Sequence, residues 1–226
     1  MNPALRDSAA HVFIGSIDNP GLGDEDAHHL LRVLRVKEGD PVTVTDGAGR
    51  WMSVSIGKDG SIQPIGEVVV EAAPKWRLRI AFSLVKGDRP EWTIQKLTEL
   101  GIDEIIVLGD LERSVVRWET KRAEKNLQRL RTVAREAAMQ SRRVWLPTVS
   151  GMQDLATIED VYIADPAGEP ISGSHRTLAI GPEGGFTDSE KKIGVGLVSL
   201  GDNVLRAETA AMSAAVLMSS CRTKGN

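Results

Sequence analysis

The chain is poor in cysteine and in aromatic residues, and it has no long apolar run. Its single cysteine, Cys221, excludes an internal disulfide, and the four histidines at 11, 28, 29 and 175 do not have the spacing of metal ligands. No apolar run approaches the roughly 18 residues of a membrane span. Residues 1–10 lack the basic-then-apolar layout of a secretory signal. We therefore expect a cytoplasmic protein with no membrane partner and no metal.

The remaining composition is that of an ordinary globular protein. Hydrophobic residues make up 41% of the chain and charged residues 26%, which argues against disordered and fibrous classes. At roughly 100 to 200 residues per domain, the 226 residues favour two domains.

Positive charge is concentrated in one segment, although the net charge is only −3. Residues 111–146 contain ten basic and four acidic side chains, and a helix is predicted over 121–141. A solvated surface helix and a surface that contacts phosphates both fit this pattern, and the flanking arginines favour the second. At 100° per residue, the predicted apolar face consists of Ala123, Leu127, Leu130, Val133, Ala134, Ala137 and Ala138, and the basic face of Lys121, Arg122, Lys125, Arg129, Arg131 and Arg135.

The pattern of elements changes near Pro74. Before it, short strands are predicted at 12–17, 41–45, 51–56 and 67–70, with a short helix at 26–34, which favours a small barrel. After it, strands and helices alternate at larger spacing, which predicts a parallel α/β sheet. The predicted strands there are 78–84, 104–108, 160–164, 177–180 and 195–200, and the helices are 91–100, 121–141, one from about 189, and 208–220.

Two glycine-rich turns follow predicted strands near the C-terminus. The first has the sequence Gly-Pro-Glu-Gly-Gly-Phe at 181–186, and the second runs from Gly201 to Thr209. Ligands of parallel sheets bind beyond the carboxyl ends of the strands, so both turns are expected to line one pocket. Either turn alone also fits a plain tight connection. Neither matches a nucleoside triphosphate loop or a dinucleotide fingerprint.

The order of these motifs along the chain resembles the RsmE family of 16S ribosomal RNA uridine N3-methyltransferases. The resemblance spans nearly the whole chain. His11 departs from it, because a basic residue, often arginine, is expected near the first strand; if this position touches RNA, its contact is weaker or pH-dependent. The matching motifs are His-His-Leu at 28–30, Val-Leu-Arg at 33–35, Lys-Gly-Asp-Arg at 86–89, Thr-Glu-Leu-Gly at 98–101, Glu-Arg-Ser-Val at 112–115, Glu-Ala-Ala at 136–138, Gln-Ser-Arg at 140–142 and the two glycine-rich turns.

The resemblance implies an α/β protein with two domains. A small PUA-like β-barrel at 1–72 would bind RNA, and a SPOUT α/β methyltransferase domain at 75–226 would carry a C-terminal trefoil knot. Family members act as homodimers, and S-adenosylmethionine lies in the knot, held mainly by backbone groups of the two turns. The implied cofactor-binding residues are Leu178, Ile180, Gly181, Pro182, Glu183, Gly184, Gly185, Leu200, Gly201, Val204, Leu205 and Thr209.

The implied reaction requires removal of the imide proton from N3 of uracil. Arg206 would stabilise negative charge on the uracil oxygens, while Glu208 would orient Arg206 or accept the proton. An Arg–Glu ion pair that only shapes the turn is the alternative for these two residues. The expected partner is 16S ribosomal RNA or the small ribosomal subunit. The expected RNA-binding residues are Arg35, Lys86, Arg89, Arg122, Lys125, Arg129, Gln140 and Arg142.

Two other functions remain open on these residues. One is a methyltransferase of the same fold that acts on transfer RNA, often at a ribose oxygen. The other is a non-catalytic RNA-binding assembly factor. The presence of both turns, 181–185 and 206–209, argues against the second, and the order of motifs favours N3 of uracil over the first.

Overall fold

The computed structural model describes residues 1–224 and divides the chain into two compact units. The first unit comprises residues 1–74 and 135–146, and the second comprises 75–134 and the chain from 147 onward. The segment 135–146 was expected in the second domain. It belongs to the first unit because it bonds to the strands there: Gly49 N donates to Val144 O at 3.0 Å, and Leu146 N donates to Gly47 O at 3.0 Å.

The first unit is a five-stranded mixed sheet with short helices. Its strands follow the order β1-β2-β3-β4, and β5 also pairs with β3. The pair β1–β2 is parallel, and the other pairs are antiparallel. The elements are α1 (Pro3–Arg6), β1 (Ala10–Phe13), α2 (Asp24–His28) continued by a π-helical turn (His29–Val33), β2 (Pro41–Thr45), β3 (Arg50–Ile56), β4 (Ile62–Pro64) and β5 (Val69–Val70).

Aliphatic side chains of β1, β2 and β3 form the core of this unit, as the alternation in β3 predicts. The tryptophan at 145 packs against the turn between β2 and β3. A Cβ at Gly49 would lie 2.4 Å from the Trp145 ring, and Gly49 has a φ of +93°, so only glycine fits there. Trp145 therefore serves the packing of this unit.

His11 lies inside the first unit, and its ring is 2% exposed. Its Nε2 donates to Arg143 O at 3.0 Å, and its Nδ1 accepts from the Thr43 hydroxyl at 2.8 Å. Burial lowers the pKa of His11 from 6.5 to about 4. The ring is thus a neutral core group, and the expectation that this position contacts RNA does not fit its burial.

The second unit is a six-stranded sheet with the order β11-β9-β10-β6-β7-β8, and all of its pairs are parallel. The α/β fold class is confirmed. The trefoil knot stays a prediction. The elements are β6 (Arg79–Phe82), α3 (Arg89–Glu99), β7 (Glu104–Leu108), α4 (Thr120–Gln140), β8 (Thr148–Gln153), a 3-10 turn (Leu155–Thr157), β9 (Tyr162–Pro170), β10 (Thr177–Ile180), α5 (Asp188–Lys191), β11 (Gly196–Ser199) and α6 (Ala207–Lys224).

The central strands of this sheet are covered on both faces. All four residues of β10 are buried, because alternate side chains enter two separate apolar clusters. Leu178 and Ile180 join the cluster that contains α3, α6 and the apolar face of α4 up to Ala134, and Ala179 joins the other. The two glycine-rich turns follow directly after the carboxyl ends of β10 and β11.

Several predicted boundaries were wrong. Strands β4 and β8 were not predicted, since both are short or polar, and β1 ends at Phe13 instead of position 17. Strand β9 continues to Pro170, six residues beyond the predicted end. Among residues 1–224, no helix is both long and apolar enough to cross a membrane.

Candidate active site

A cavity lies between the two glycine-rich turns, at the carboxyl ends of β10 and β11 and beside residues 164–166 of β9. It is the position where ligands of parallel sheets bind. Both turns contribute, as predicted, and the walls are mostly apolar or backbone. The lining residues are Ala164, Asp165, Pro166, Ile180, Gly181, Pro182, Glu183, Gly185, Phe186, Leu200, Gly201, Asn203, Val204, Leu205, Ala207 and Ala210.

Nine of the twelve expected cofactor-binding residues line this cavity, and Leu178, Gly184 and Thr209 do not. Leu178 points into the apolar core under the sheet. A Cβ at Gly184 would lie 3.3 Å from the side chain of Arg113, which is not a lining residue either. Thr209 is half-buried within α6.

Tight packing fixes the first turn. A Cβ at Gly181 would lie 2.9 Å from the Phe186 ring, and Gly185 has a φ of +70°. Arg113 Nη1 donates to Gly184 O at 2.8 Å and so ties the loop after β7 to the first turn. Arg113 was expected to flank the basic surface, but it supports this turn.

A capping box formed by Thr187 and Glu190 begins α5. Glu190 accepts from the backbone nitrogen of Thr187 at 2.8 Å and from that of Glu112 at 2.8 Å. This buried carboxylate ties the start of α5 to the loop that follows β7, so the first turn is anchored from both ends.

Sequence reasoning missed the contribution of β9. Its pairing with β11 shifts by five residues, because 162–163 pair with 196–197 whereas 169–170 pair with 198–199. The five residues 164–168 leave the ladder, and the first three line the cavity. Asp165 Oδ2 lies 2.6 Å from Lys191 Nζ; burial opposes ionisation, but the lysine and the Ala167 amide hold the pKa of Asp165 below its usual range. The Asp-Pro-x-Gly sequence at 165–168 is the signal that could have indicated a break in the strand.

The two residues expected to act in catalysis have different surroundings. Arg206 is exposed, and within the described chain no hydrogen bond or ion pair holds its guanidinium. Glu208 is in the first turn of α6, with its side chain 13% exposed. The suggested Arg206–Glu208 pair is therefore not formed.

Glu208 instead pairs with Arg89. Arg89 Nη1 lies 3.5 Å from Glu208 Oε1 and 3.3 Å from Glu183 Oε1, so one guanidinium bridges the two glycine-rich turns. The other oxygen, Glu208 Oε2, is buried and has no hydrogen-bond partner among the described residues. A buried carboxylate oxygen without a donor is costly, and such atoms occur where a ligand supplies the donor.

The expected RNA-binding residues of α4 lie on its exposed face. Arg122 and Lys125 are exposed, and in the described chain neither has a carboxylate partner. Arg129 is exposed too, but its Nε lies 3.1 Å from Glu91 Oε1. Arg131 and Arg135, which were predicted on the same basic face, form hydrogen bonds with other groups of the protein. Arg131 donates to Val149 O at 3.2 Å, and Arg135 bonds with Asp26 and with Phe13 O.

The other expected RNA-binding residues are divided between surface and structural positions. Lys86, Arg35 and Gln140 are exposed, and Arg35 has a φ of +55°. Arg142 donates to Met139 O at 3.2 Å and to Ser8 O at 3.0 Å, and burial lowers the pKa of its guanidinium. Arg142 thus closes the turn after α4, which weakens the expectation that it binds RNA.

Comparison with known proteins gives the family. One family model, described as an RNA methyltransferase domain, matches residues 71–219, and another, an RNA methyltransferase PUA domain, matches residues 22–67. A ribosomal RNA small subunit methyltransferase E of Bacillus subtilis is 33% identical over 84% of this chain and 85% of its own. The chain belongs to the RsmE family. The RsmE protein of Rickettsia conorii is 31% identical with the same coverage.

Solved methyltransferase structures share the fold. A putative methyltransferase of Legionella pneumophila, solved with bound SAM (S-adenosylmethionine), is 27% identical and superposes with a TM-score of 0.80 over 93% of this chain and 96% of its own. An RsmE of Neisseria gonorrhoeae, bound to S-adenosylmethionine, superposes with a TM-score of 0.76 over 93% of this chain and 97% of its own. Its sequence is 24% identical, so this similarity supports the fold alone.

Proposed function

We propose that this RsmE protein transfers a methyl group from S-adenosylmethionine to N3 of a specific uridine in 16S ribosomal RNA. The observation that carries the proposal is the cavity between the two glycine-rich turns, at the carboxyl ends of β10 and β11. Membership of the RsmE family supports the substrate, and the bound S-adenosylmethionine of the Legionella relative supports the cofactor.

The lining residues fit S-adenosylmethionine. Ile180, Leu200 and Leu205 offer apolar walls for an adenine, and the backbone of 181–185 and 200–205 offers amides and carbonyls. Glycines at 185 and 201, with φ of +70° and +136°, keep side chains out of the space that the cofactor would occupy. When bound, the cofactor supplies an activated methyl group on a sulfonium.

Glu208 is the group that we assign to proton removal. Its Oε2 is buried and has no hydrogen-bond partner among the described residues, and the preceding residue of the chain, Ala207, lines the cavity; we assign to this oxygen the acceptance of the N3 proton of uracil. Arg89 holds the other oxygen and thereby orients the carboxylate. Arg206, exposed two residues before Glu208, would stabilise the negative charge that develops on the uracil oxygens.

Binding of the RNA would use exposed cations of both units. Arg122, Lys125 and Lys86 are exposed in the second unit, and Arg35 is exposed in the first. Within the proposal, 1–72 forms the RNA-binding PUA-like domain and 75–226 the SPOUT methyltransferase domain, and the protein works in the cytoplasm on 16S ribosomal RNA or the small subunit. Exposed Val216 and Leu217 on α6 suit the homodimer.

Methyl transfer from radiolabelled S-adenosylmethionine tests this proposal. The purified protein is incubated separately with small subunits, large subunits and transfer RNA, all from a strain that lacks the methyltransferase. Label in the small subunit alone is the expected result. Label in transfer RNA would favour the transfer-RNA alternative, and absence of label from every RNA would favour the assembly factor.

A further inference from the structure

A second cavity, of about 570 Å³, lies at the amino-terminal edge of the sheet in the second unit. Its walls include the first residues of four parallel strands, namely Arg79 of β6, Glu104 of β7, Tyr162 of β9 and Thr177 of β10. Because parallel strands share one direction, this edge is opposite the candidate active site. The cavity has the size of a small-molecule site but does not belong to the cofactor pocket.

Three arginines line this cavity, namely Arg77, Arg79 and Arg176, and Lys75 lies over the ring of the lining residue Trp76; within residues 1–224 none of the four pairs with a carboxylate. Lys75, Arg77 and Arg176 are exposed. Arg79 is held in place by bonds from Nε to Thr177 Oγ1 at 2.9 Å and from Nη2 to Glu159 O at 2.6 Å, both with neutral acceptors. The three arginines outnumber the two carboxylates that line the cavity, and this excess of positive charge favours a ligand with an anionic group.

Aromatic rings lie among these cations. Arg176 Cζ is 4.9 Å and Lys75 Nζ is 5.4 Å from the centroid of the Trp76 ring. Tyr162 lines the cavity, and its ring packs nearly perpendicular to that of His175 at a centroid distance of 4.4 Å. The contacts with Trp76 position the two cations, and the ring of Tyr162 can pack against a planar base.

Two carboxylates, those of Glu104 and Asp160, also line the cavity. They disfavour a compact polyanion, because they would repel it. They suit a ligand that combines an anion with hydrogen-bond donors. A nucleotide of RNA has this combination, since its phosphate pairs with guanidinium groups while its 2′-hydroxyl and base N–H groups donate to carboxylates.

We propose that this cavity binds a nucleotide within a single-stranded segment of RNA. Arg77 and Arg176 contact phosphates, and the carboxylates accept from the ribose or base. The inference extends the proposed function by a second RNA contact, remote from the site of methyl transfer, and rests on that function only for the identity of the RNA. A free mononucleotide carries the same phosphate, ribose and base, so the experiment must distinguish binding of an RNA strand from binding of a free nucleotide.

The test compares two double variants by fluorescence anisotropy with a labelled twelve-residue oligouridylate. Arg77→Gln with Arg176→Gln removes two exposed cations of the cavity. Lys58→Gln with Lys192→Gln removes two exposed cations elsewhere and matches the change in net charge. We expect the cavity variant to bind at least about ten times more weakly than the control variant. Its slope of log K against log salt should be smaller by up to about 1.4, or 0.7 for each lost phosphate contact.

Melting temperature and calorimetric affinity for S-adenosylmethionine should match wild type in both variants. An equal loss of affinity for the oligonucleotide in the two variants would overturn the inference, because the loss would then follow from the change in net charge. Displacement of the oligonucleotide by uridine monophosphate at comparable concentrations would overturn the assignment to a strand. The binding assay needs no methyl transfer: if no RNA is methylated but oligonucleotide binding depends on the two arginines, the proposed function fails and this inference stands.

Discussion

Glu208 has the least usual environment of any single residue in the candidate active site. One carboxylate oxygen faces Arg89, and the other is buried without a donor. If that oxygen accepts the N3 proton, Glu208→Gln should lower kcat by about 10² to 10⁴ while leaving affinity for S-adenosylmethionine near wild type. Glu183→Gln is the matched control, since it removes the other carboxylate partner of Arg89. Equal kcat values in the two variants would make Glu208 a purely structural residue.

Arg206 differs from Glu208 in being exposed and unpaired in the described chain. Because it would act only on charge that develops during the reaction, Arg206→Ala should lower kcat by roughly 10² to 10³. Calorimetry should find unchanged binding of S-adenosylmethionine. A variant that loses cofactor affinity but keeps kcat would place Arg206 in the cofactor pocket instead.

His11 makes the stability of the protein depend on pH. Its pKa is about 4 in the folded state and 6.5 when solvated, so between these values the unfolded chain binds the extra proton. The contribution of neutral His11 to the free energy of unfolding is fully present above pH 6.5 and is lost as the pH falls towards 4. Between pH 7.5 and 5.5 the loss should be roughly 1.3 kcal/mol. Urea denaturation should show this loss in the wild type and not in His11→Gln. An equal loss in both proteins would show that His11 is not the group responsible.

At the scale of elements, the cations of α4 differ in whether they bond to other groups of the protein. Arg122 and Lys125 are free of carboxylates in the described chain, whereas Arg131 and Arg135 bond internally. Changing Arg122 and Lys125 to alanine should weaken RNA binding and lower the salt slope by up to about 1.4 to 1.8 units. Gln128→Ala, an exposed neutral position of the same helix, is the control. An unchanged slope would mean that this face is only solvated.

Sequence periodicity predicted the elements that are long or regular. The strands at 41–45, 104–108 and 177–180 have the predicted bounds, and α4 differs by one residue at each end. Alternation and the helical repeat are local properties, so a short window contains them. The two glycine-rich turns were also predictable, because glycine spacing after an apolar strand is local.

Tertiary pairing determines what the sequence did not predict. The loop 164–168 lines the cavity only because β9 pairs with β11 on both sides of it. The partner of Glu208 is Arg89, 119 positions earlier in the chain, rather than the neighbouring Arg206. The segment 135–146 joins the first unit through bonds with residues near 13, 26 and 49. Charge patterning within a helix cannot distinguish a cation that faces RNA from one that bonds to a distant carbonyl.

At the scale of the whole molecule, α6 leaves an apolar surface uncovered. Val216 is 50% and Leu217 38% exposed on a helix whose other face is buried. If this surface forms the proposed homodimer, Val216→Glu with Leu217→Glu should give a monomer in light scattering. Ser220→Glu, an exposed position of the same helix, serves as the control for added charge. A dimer that survives the double change would place the interface elsewhere.

The central claim is that the cavity between the two glycine-rich turns serves methylation of uracil at N3. Its most direct test is mass spectrometry of nucleosides from 16S ribosomal RNA, isolated from small subunits after incubation with the protein and S-adenosylmethionine. The account predicts 3-methyluridine at a single position, formed about 10² to 10⁴ times more slowly with the Glu208→Gln variant. A methyl group on a ribose oxygen or on another base atom would contradict it.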